Sequence, residues 1–389
     1  ETLMAIFVSN RYLPRRILLL TGCFARAAAE KHSITRLWKQ SSRLISRSIT
    51  QNAGDHGEHY ITRDKKEYWA MFYSAAGGGV LIALMALFKI YLGSIIDDKV
   101  WKGIAEGLNY GLGFMVIFML HFTVATKQPA MTAARFAEAV EKTPQGKSVN
   151  MKLAQLLVDV FRSQSIAVLG NVLIAMGLAA LIAFGYQYKT GEPLMNADQI
   201  AYQLHSIDPF AGTLWFAAIA GVWLFCSGII SGYFDNRSNY LNMRMRLTQH
   251  PLLKKLMSEK SRVKFANYMH ENYGSLIGNL CFGMLLGITG VVGYLTHLPL
   301  DIRHVAFSSA NVGYIAVSGQ FTYSLLLQCI GFVLLIGLVN LVVSFSLTLW
   351  VALRSLNAEI ESWWPIWYEV CQIVKKRPLS LFFPVQLDK

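Results

Sequence analysis

Between His297 and Gly313 the chain reads HLPLDIRHVAFSSANVG, and six of its side chains could do chemistry. Asp301 and Arg303 are spaced to pair with each other or with a charged ligand, and His304 adds a group that titrates near neutrality. Ser308, Ser309 and Asn311 supply neutral donors and acceptors suited to caps, turns or a bound polar molecule. Two arrangements fit: a self-satisfied cap closed by an Asp301–Arg303 pair, or a pocket in which Arg303 meets an anionic group. A second cluster, in DHGEHY, offers His56, Glu58 and His59 as metal ligands. With no partner cluster elsewhere it falls short of the four committed ligands of a structural zinc, so no metal and no cofactor is expected. A third group is Lys127, Gln128 and Arg135 around Pro129. Pro129 suits the first turn of a helix whose positive end could take a phosphate or lipid headgroup, while the plainer role for Lys127 is an interface anchor.

These groups lie between or beside long apolar runs. Of the 389 residues 54% are hydrophobic and 15% charged, and the mean hydropathy is +0.38, which is too apolar for ordinary soluble domains. Six runs reach the roughly 20 residues that a helix needs to cross a bilayer: 69–92, 104–125, 166–186, 210–230, 276–296 and 323–353. Twelve Lys and Arg precede the first run, six follow the second, eight follow the fourth and five lie in the tail, whereas the other three connections hold two, one and one. Since cytoplasmic connections carry the positive charge, the expected fold is an all-α, polytopic inner-membrane protein with six transmembrane helices and both termini cytoplasmic. The same alternation accounts for the net charge of +13 without nucleic acid, through topology and attraction to anionic lipid. The stretch from His297 then becomes the last outer loop, 26 residues long, enough to fold back into the bundle mouth.

The chain divides into a basic segment 1–68, a bundle 69–353 with cytosolic helical loops 126–165 and 231–275, and a tail 354–389. In the first part, Ile34, Leu37, Trp38, Leu44 and Ile45 recur at helical spacing, as in a helix on the inner leaflet or one packed on residues further upstream. The opening residue, Glu1, suggests a processed or truncated start. In the second loop, Pro251 suits a helix start and a short helical hairpin is expected. The five cysteines are scattered, three of them in apolar runs, and indicate no disulfide framework. No repeat of 20 to 50 residues is visible.

Polar residues inside the runs are costly and draw attention. They are Lys89, Asn109, His121, Asn171, Asn279 and Asn340. Lys89 can snorkel outward; asparagines bond between helices for about 1 kcal/mol each, and at least three of the four are read as structural. His121 is read as a packing residue. Gly107 with Gly111, Gly228 with Gly232, and Gly283 with Gly287 have the small-x-x-x-small spacing that lets helices approach closely. Gly77, Gly78 and Gly79 form a patch without side chains, for tight packing or for flexibility.

Five blocks in order then resemble one bacterial family: GEHYITRDKKEYWAMFYSAAGGG, GLNYGLGFMVIFMLHFTVATKQPAMTAA, YMHENYGSLIGNLCFGMLLGITG, LPLDIRHVAFSSAN and NLVVSFSLTLWVALRS. The family is labelled site-specific recombinase, and the resemblance implies an inner-membrane protein preceded by a larger helical region. The label also implies DNA breakage and joining. Tyrosine recombinases commonly use H-x-x-R, and this chain has none: His32 with Arg36 and His59 with Arg63 are each one residue too far apart. No serine-recombinase block is found either. An intramembrane serine protease would want G-x-S-G, where the chain has Ala316-Val317-Ser318-Gly319 and no histidine on its final span. Direct ATP use lacks its G-x-x-x-x-G-K-[ST]. The expectation is binding or movement of an anionic or amphiphilic molecule, such as a lipid; the alternative is a scaffold that recruits a protein partner through basic cytosolic loops. Strand exchange, as the label implies, comes last.

Overall fold

The computed structural model describes residues 18, 21–25, 61–62, 64–125, 128–141, 147–318, 322–356, 360 and 362–384. The His56 cluster, the amphipathic stretch 32–51 and Lys127 lie outside the described residues.

Every regular element among the described residues is helical: α1 (Lys65–Ile95), α2 (Lys99–Met119), α3 (Gln128–Glu141), α4 (Lys147–Thr190), α5 (Ala197–Ile207), α6 (Thr213–Tyr240), α7 (Met243–Gln249), α8 (Pro251–Leu256), α9 (Glu259–Thr296), α10 (Val305–Ala316), α11 (Tyr323–Leu356) and α12 (Trp364–Lys376). Side-chain caps set several starts. Asp64 accepts the Glu67 N–H at 2.8 Å, Asp98 accepts those of Val100 and Trp101, and Asn196 with Gln199 closes a reciprocal capping box on α5.

Five of these, α1, α4, α6, α9 and α11, are long and apolar enough to cross a membrane. They also expose apolar side chains on the outside of the bundle: Leu84 and Phe88 on α1, Leu173 and Leu181 on α4, Leu338 and Val342 on α11. A helix apolar on its buried and exposed sides alike fits hydrocarbon rather than water. The end carrying Ile95, Thr190, Thr213 and Thr296 is here called the outer end, following the charge count.

The second expected span, 104–125, differs. α2 stops at Met119, His121 takes a left-handed φ of 57°, and the chain reaches Ala125 without further α-helix. This break sits beside α1, where the Thr123 N–H donates to the Ser74 carbonyl at 3.1 Å. Asn171, well inside α4, closes it: its amide donates to the Ala75 carbonyl at 2.6 Å and the Thr123 carbonyl at 2.9 Å, and its oxygen accepts the Ala125 N–H at 2.8 Å. Backbone groups that leave a helix inside an apolar bundle need such partners.

A second break follows α9. From Leu298 the chain descends along that helix, with Leu300 against Gly293, until Arg303 donates its N–H to the Phe216 carbonyl. α10 then starts inside the bundle. Ten of its twelve residues are buried; Gly313 presses on the Met176 carbonyl of α4, and the Tyr314 hydroxyl donates to the Ala83 carbonyl of α1. Asn340, at the middle of α11, closes this break by donating to the Ala217 and Arg303 carbonyls and accepting the Val305 N–H.

The remaining packing rests on glycine. α2 and α9 cross where Gly107 meets Gly287 and Gly111 meets Gly283, so close that a Cβ on Gly283 would lie 2.0 Å from the Gly111 nitrogen. Gly77 and Gly78 admit Phe122 and the Thr123 carbonyl of the first break, and Gly79 admits the Asn171 carbonyl. The triple glycine is thus occupied by contacts.

Candidate functional site

The descending segment and α10 wall a polar cavity of about 470 Å³ at the outer end, shared with α1, α2 and α5. α1 brings Lys89, α2 brings Lys102, Glu106 and Tyr110, and α5 brings Asp198, Gln199, Tyr202 and Ser206. From the stretch that first drew attention come Asp301, Arg303, His304, Ser308 and Asn311.

Most of the charge here is already paired. Lys89 Nζ lies 3.3 Å from Glu106 Oε2 and 5.7 Å from the centre of the Tyr110 ring. Lys89 was expected to snorkel; it turns instead into the cavity, because Glu106 offers a carboxylate one helix away. Arg303 donates to Asp301 Oδ2, to the Ser206 carbonyl at 2.8 Å and to its own neighbour's carbonyl at Ile302. Its guanidinium also lies over the Phe216 ring. Arg303 is therefore a clasp that ties the descending segment to α5 and α6. Among the described residues Lys102 and Asp198 have no ion-pair partner, so the cavity retains one cation and one anion beyond its internal pairs.

The other residues of the stretch divide by depth. His304 is 1% exposed and ringed by Phe114, Phe282 and Phe307 at 5.8 to 6.2 Å between ring centres. Ser309 is buried and donates to the Ala306 carbonyl, so it serves α10 rather than the cavity. Ser308 and Asn311 line the cavity.

Elsewhere, Asn109 donates to the Met85 carbonyl and Asn279 to the Ser275 carbonyl. His121 is exposed, and its carbonyl accepts from Ser74. At the inner end Gln128 begins α3, and Arg135 pairs with Glu138 at 3.1 Å. No group of three His, Cys, Asp or Glu among the described residues is placed to hold a metal. A large apolar groove of about 780 Å³ runs between α4 and α11 towards Trp363 and Trp367, with polar Gln164 at its floor.

Sequence reading passed over Glu106, Lys102 and the polar side of α5. One signal was present: Glu106 is the single acidic residue within the six apolar runs.

The fold and this cavity define an all-α, multi-pass membrane protein. The family described as site-specific recombinase matches residues 1–384, and the chain belongs to that family. No curated protein and no solved structure matches it.

Proposed function

We propose that the protein binds a small charged solute in the outer cavity and moves it across the bacterial inner membrane, with both chain termini on the cytoplasmic side. The observation that carries this reading is a polar cavity, set among apolar helices, that keeps Lys102 and Asp198 unpaired after its two internal ion pairs are formed. Lys102 is half-buried and Asp198 exposed at the cavity mouth, so both are open to a solute, and a ligand bearing a carboxylate or phosphate beside a cationic or donor group would meet both without displacing an internal pair. The anionic end of the ligand goes to Lys102 rather than to Arg303, which is engaged by Asp301 and by backbone.

Strand exchange, the activity in the family's description, finds no support in the motifs of the chain, and the basic inner connections serve topology and lipid attraction. The test is purification with surrounding lipid in polymer discs, with mass spectrometry of co-purifying small molecules. One polar species enriched over bulk membrane in the parent and lost in Lys102→Ala and Asp198→Ala is the expected result. Identical profiles in all three preparations would remove the cavity as a binding site.

A further inference from the structure

The two breaks are closed in the same way, and the likeness extends outward from them. In each, an asparagine in a long helix donates to one carbonyl on a neighbouring helix and one in the break, and accepts the N–H two residues further on. Asn171 uses Ala75, Thr123 and Ala125; Asn340 uses Ala217, Arg303 and Val305. The break's own N–H goes to the residue just before that helix carbonyl, Thr123 to Ser74 and Arg303 to Phe216. Four residues beyond the carbonyl each helix has a glycine pressed on the asparagine's carbonyl: a Cβ on Gly79 would lie 2.8 Å from that of Asn171, and on Gly221 3.0 Å from that of Asn340. The sequence reads Ala75-Ala76-x-x-Gly79-Val80 on α1 and Ala217-Ala218-x-x-Gly221-Val222 on α6.

The whole packing order follows. α1–α5 correspond to α6 and α9–α12, with α1 matching α6, α2 matching α9, α3 matching α10, α4 matching α11 and α5 matching α12. α3 packs on α11 and α10 packs on α4, so each half lends its short helix to the other. Exchanging the halves turns the Gly107–Gly287 contact into the Gly283–Gly111 contact. The halves are also inverted. α2 is antiparallel to α1 (Lys89 beside Glu106), α9 is antiparallel to α2, and α6 is antiparallel to α9 (Gly278 on Ser227, Gly274 on Ser231), which leaves α6 opposite to α1.

α7 and α8, between α6 and α9, have no counterpart between α1 and α2; the halves also differ in how these paired helices meet. At the outer end α1 and α2 part around the cavity. At the inner end their counterparts α6 and α9 are sealed: a Cβ on Gly274 would lie 2.2 Å from the Ser231 carbonyl, and Asp235 accepts the Gly274 N–H at 2.9 Å. Inverted halves around discontinuous helices can exchange conformations, each adopting the other's shape. Resting on the reading that the outer cavity holds a solute, we infer that the protein is an alternating-access carrier, and that the α6–α9 seam at Ser231, Asp235, Gly274 and Gly278 opens to a matching inner cavity as the outer one closes.

The experiment uses the full chain in sealed vesicles of known orientation, with exposed Cys23 and Cys371 replaced by Ser and the reagent a membrane-impermeant maleimide. Ser231→Cys, a near-isosteric change at a buried seam, is expected to label from the inner side at about 0.1–10% of the rate of exposed Tyr240→Cys, the share of time a minor state is populated. The attached label then wedges the seam open. Gln203→Cys, in the outer cavity wall, should thereafter label several-fold more slowly from the outer side. In Ser231→Cys/Gly278→Cys, whose Cβ atoms would lie about 3.0 Å apart, oxidation should abolish inner labelling and keep Gln203→Cys reactive. Two results overturn the inference: Ser231→Cys that stays unlabelled while the denatured chain labels fully, or Gln203→Cys whose rate ignores the wedge. Either outcome, together with a solute lost in Lys102→Ala, leaves a binding protein that does not alternate. Alternation without any enriched solute would remove the binding reading alone.

Discussion

At the outer end, α1 and α2 face each other through charged and aromatic side chains: Lys89, Glu106, Tyr110 and Lys102. At the inner end, α6 and α9 touch backbone to backbone at Ser227, Ser231, Gly274 and Gly278, and the contact continues through Asp235 on the Gly274 N–H, Ser238 on His270 and Phe234 against Tyr273. One backbone plan therefore gives an open face where long polar side chains keep helices apart and a shut face where small residues let them touch. The plan is held in common by the two breaks. The openness is set by a handful of side chains.

The strongest way to break the comparison is to remove its staples. Asn340→Leu strands the Val305 N–H and the Arg303 carbonyl, while the Ala217 carbonyl keeps its bond within α6, and Asn171→Leu strands the corresponding Ala125 N–H and Thr123 carbonyl. With about 1–3 kcal/mol for each unsatisfied buried group, both variants should lose roughly 2–6 kcal/mol, seen as a large fall in the thermal midpoint in detergent. Equivalent halves predict similar losses; a harmless Asn340→Leu beside a ruinous Asn171→Leu would deny the equivalence.

A smaller loss is expected at the crossing of the halves. Gly283→Ala sets a methyl 2.0 Å from the Gly111 nitrogen, where only backbone movement can make room. It should cost about 1–3 kcal/mol as an overpacking change, while Gly177→Ala, with open space around it, should be neutral or slightly stabilising. Comparison of the two melting curves checks this, and equal midpoints would show that the crossing yields freely.

The smallest effects should come from the cavity. Glu106→Gln leaves Lys89 beside a neutral partner, and because Lys89 is about a third exposed the loss should stay near 1 kcal/mol or below. Lys89→Met/Glu106→Gln should recover much of it, the sign of a direct pair in a double-mutant cycle. Additive losses would mean that the pair contributes nothing to holding the outer face apart.

Much of the bundle was legible in the sequence because hydrophobic runs report burial in hydrocarbon directly. α1, α4, α6, α9 and α11 all follow from them. The end of α2 was not legible, since FMLHFTVA is as apolar as the helix before it and composition does not reveal where hydrogen bonding stops. Asn171 and Asn340 could be recognised as costly, but their partners lie 46 and 35 residues away along the chain at Ala125 and Val305. Arg303 could be seen to have a neighbour in Asp301, yet its bond to Ser206 crosses 97 residues. The likeness of the two halves is hard to read in the sequence for a related reason. The halves share residue types where backbone meets backbone, in a few alanines and glycines, while the side chains facing lipid or the cavity differ.

The staples also carry a consequence for how the chain is made. Each break leaves the ribosome before the helix that closes it: Ala125 precedes Asn171, and Val305 precedes Asn340. Until that later helix arrives, the Thr123 and Arg303 carbonyls and the Ala125 and Val305 N–H groups lack the partner they have in the finished bundle, so α3 and α10 must wait in water, at the bilayer surface or in a sheltered channel. The protein is thus completed in two delayed steps, the second only when synthesis reaches the middle of α11. A nascent chain halted between Ala316 and Asn340 would hold nearly all of the bundle and still be unable to seat α10.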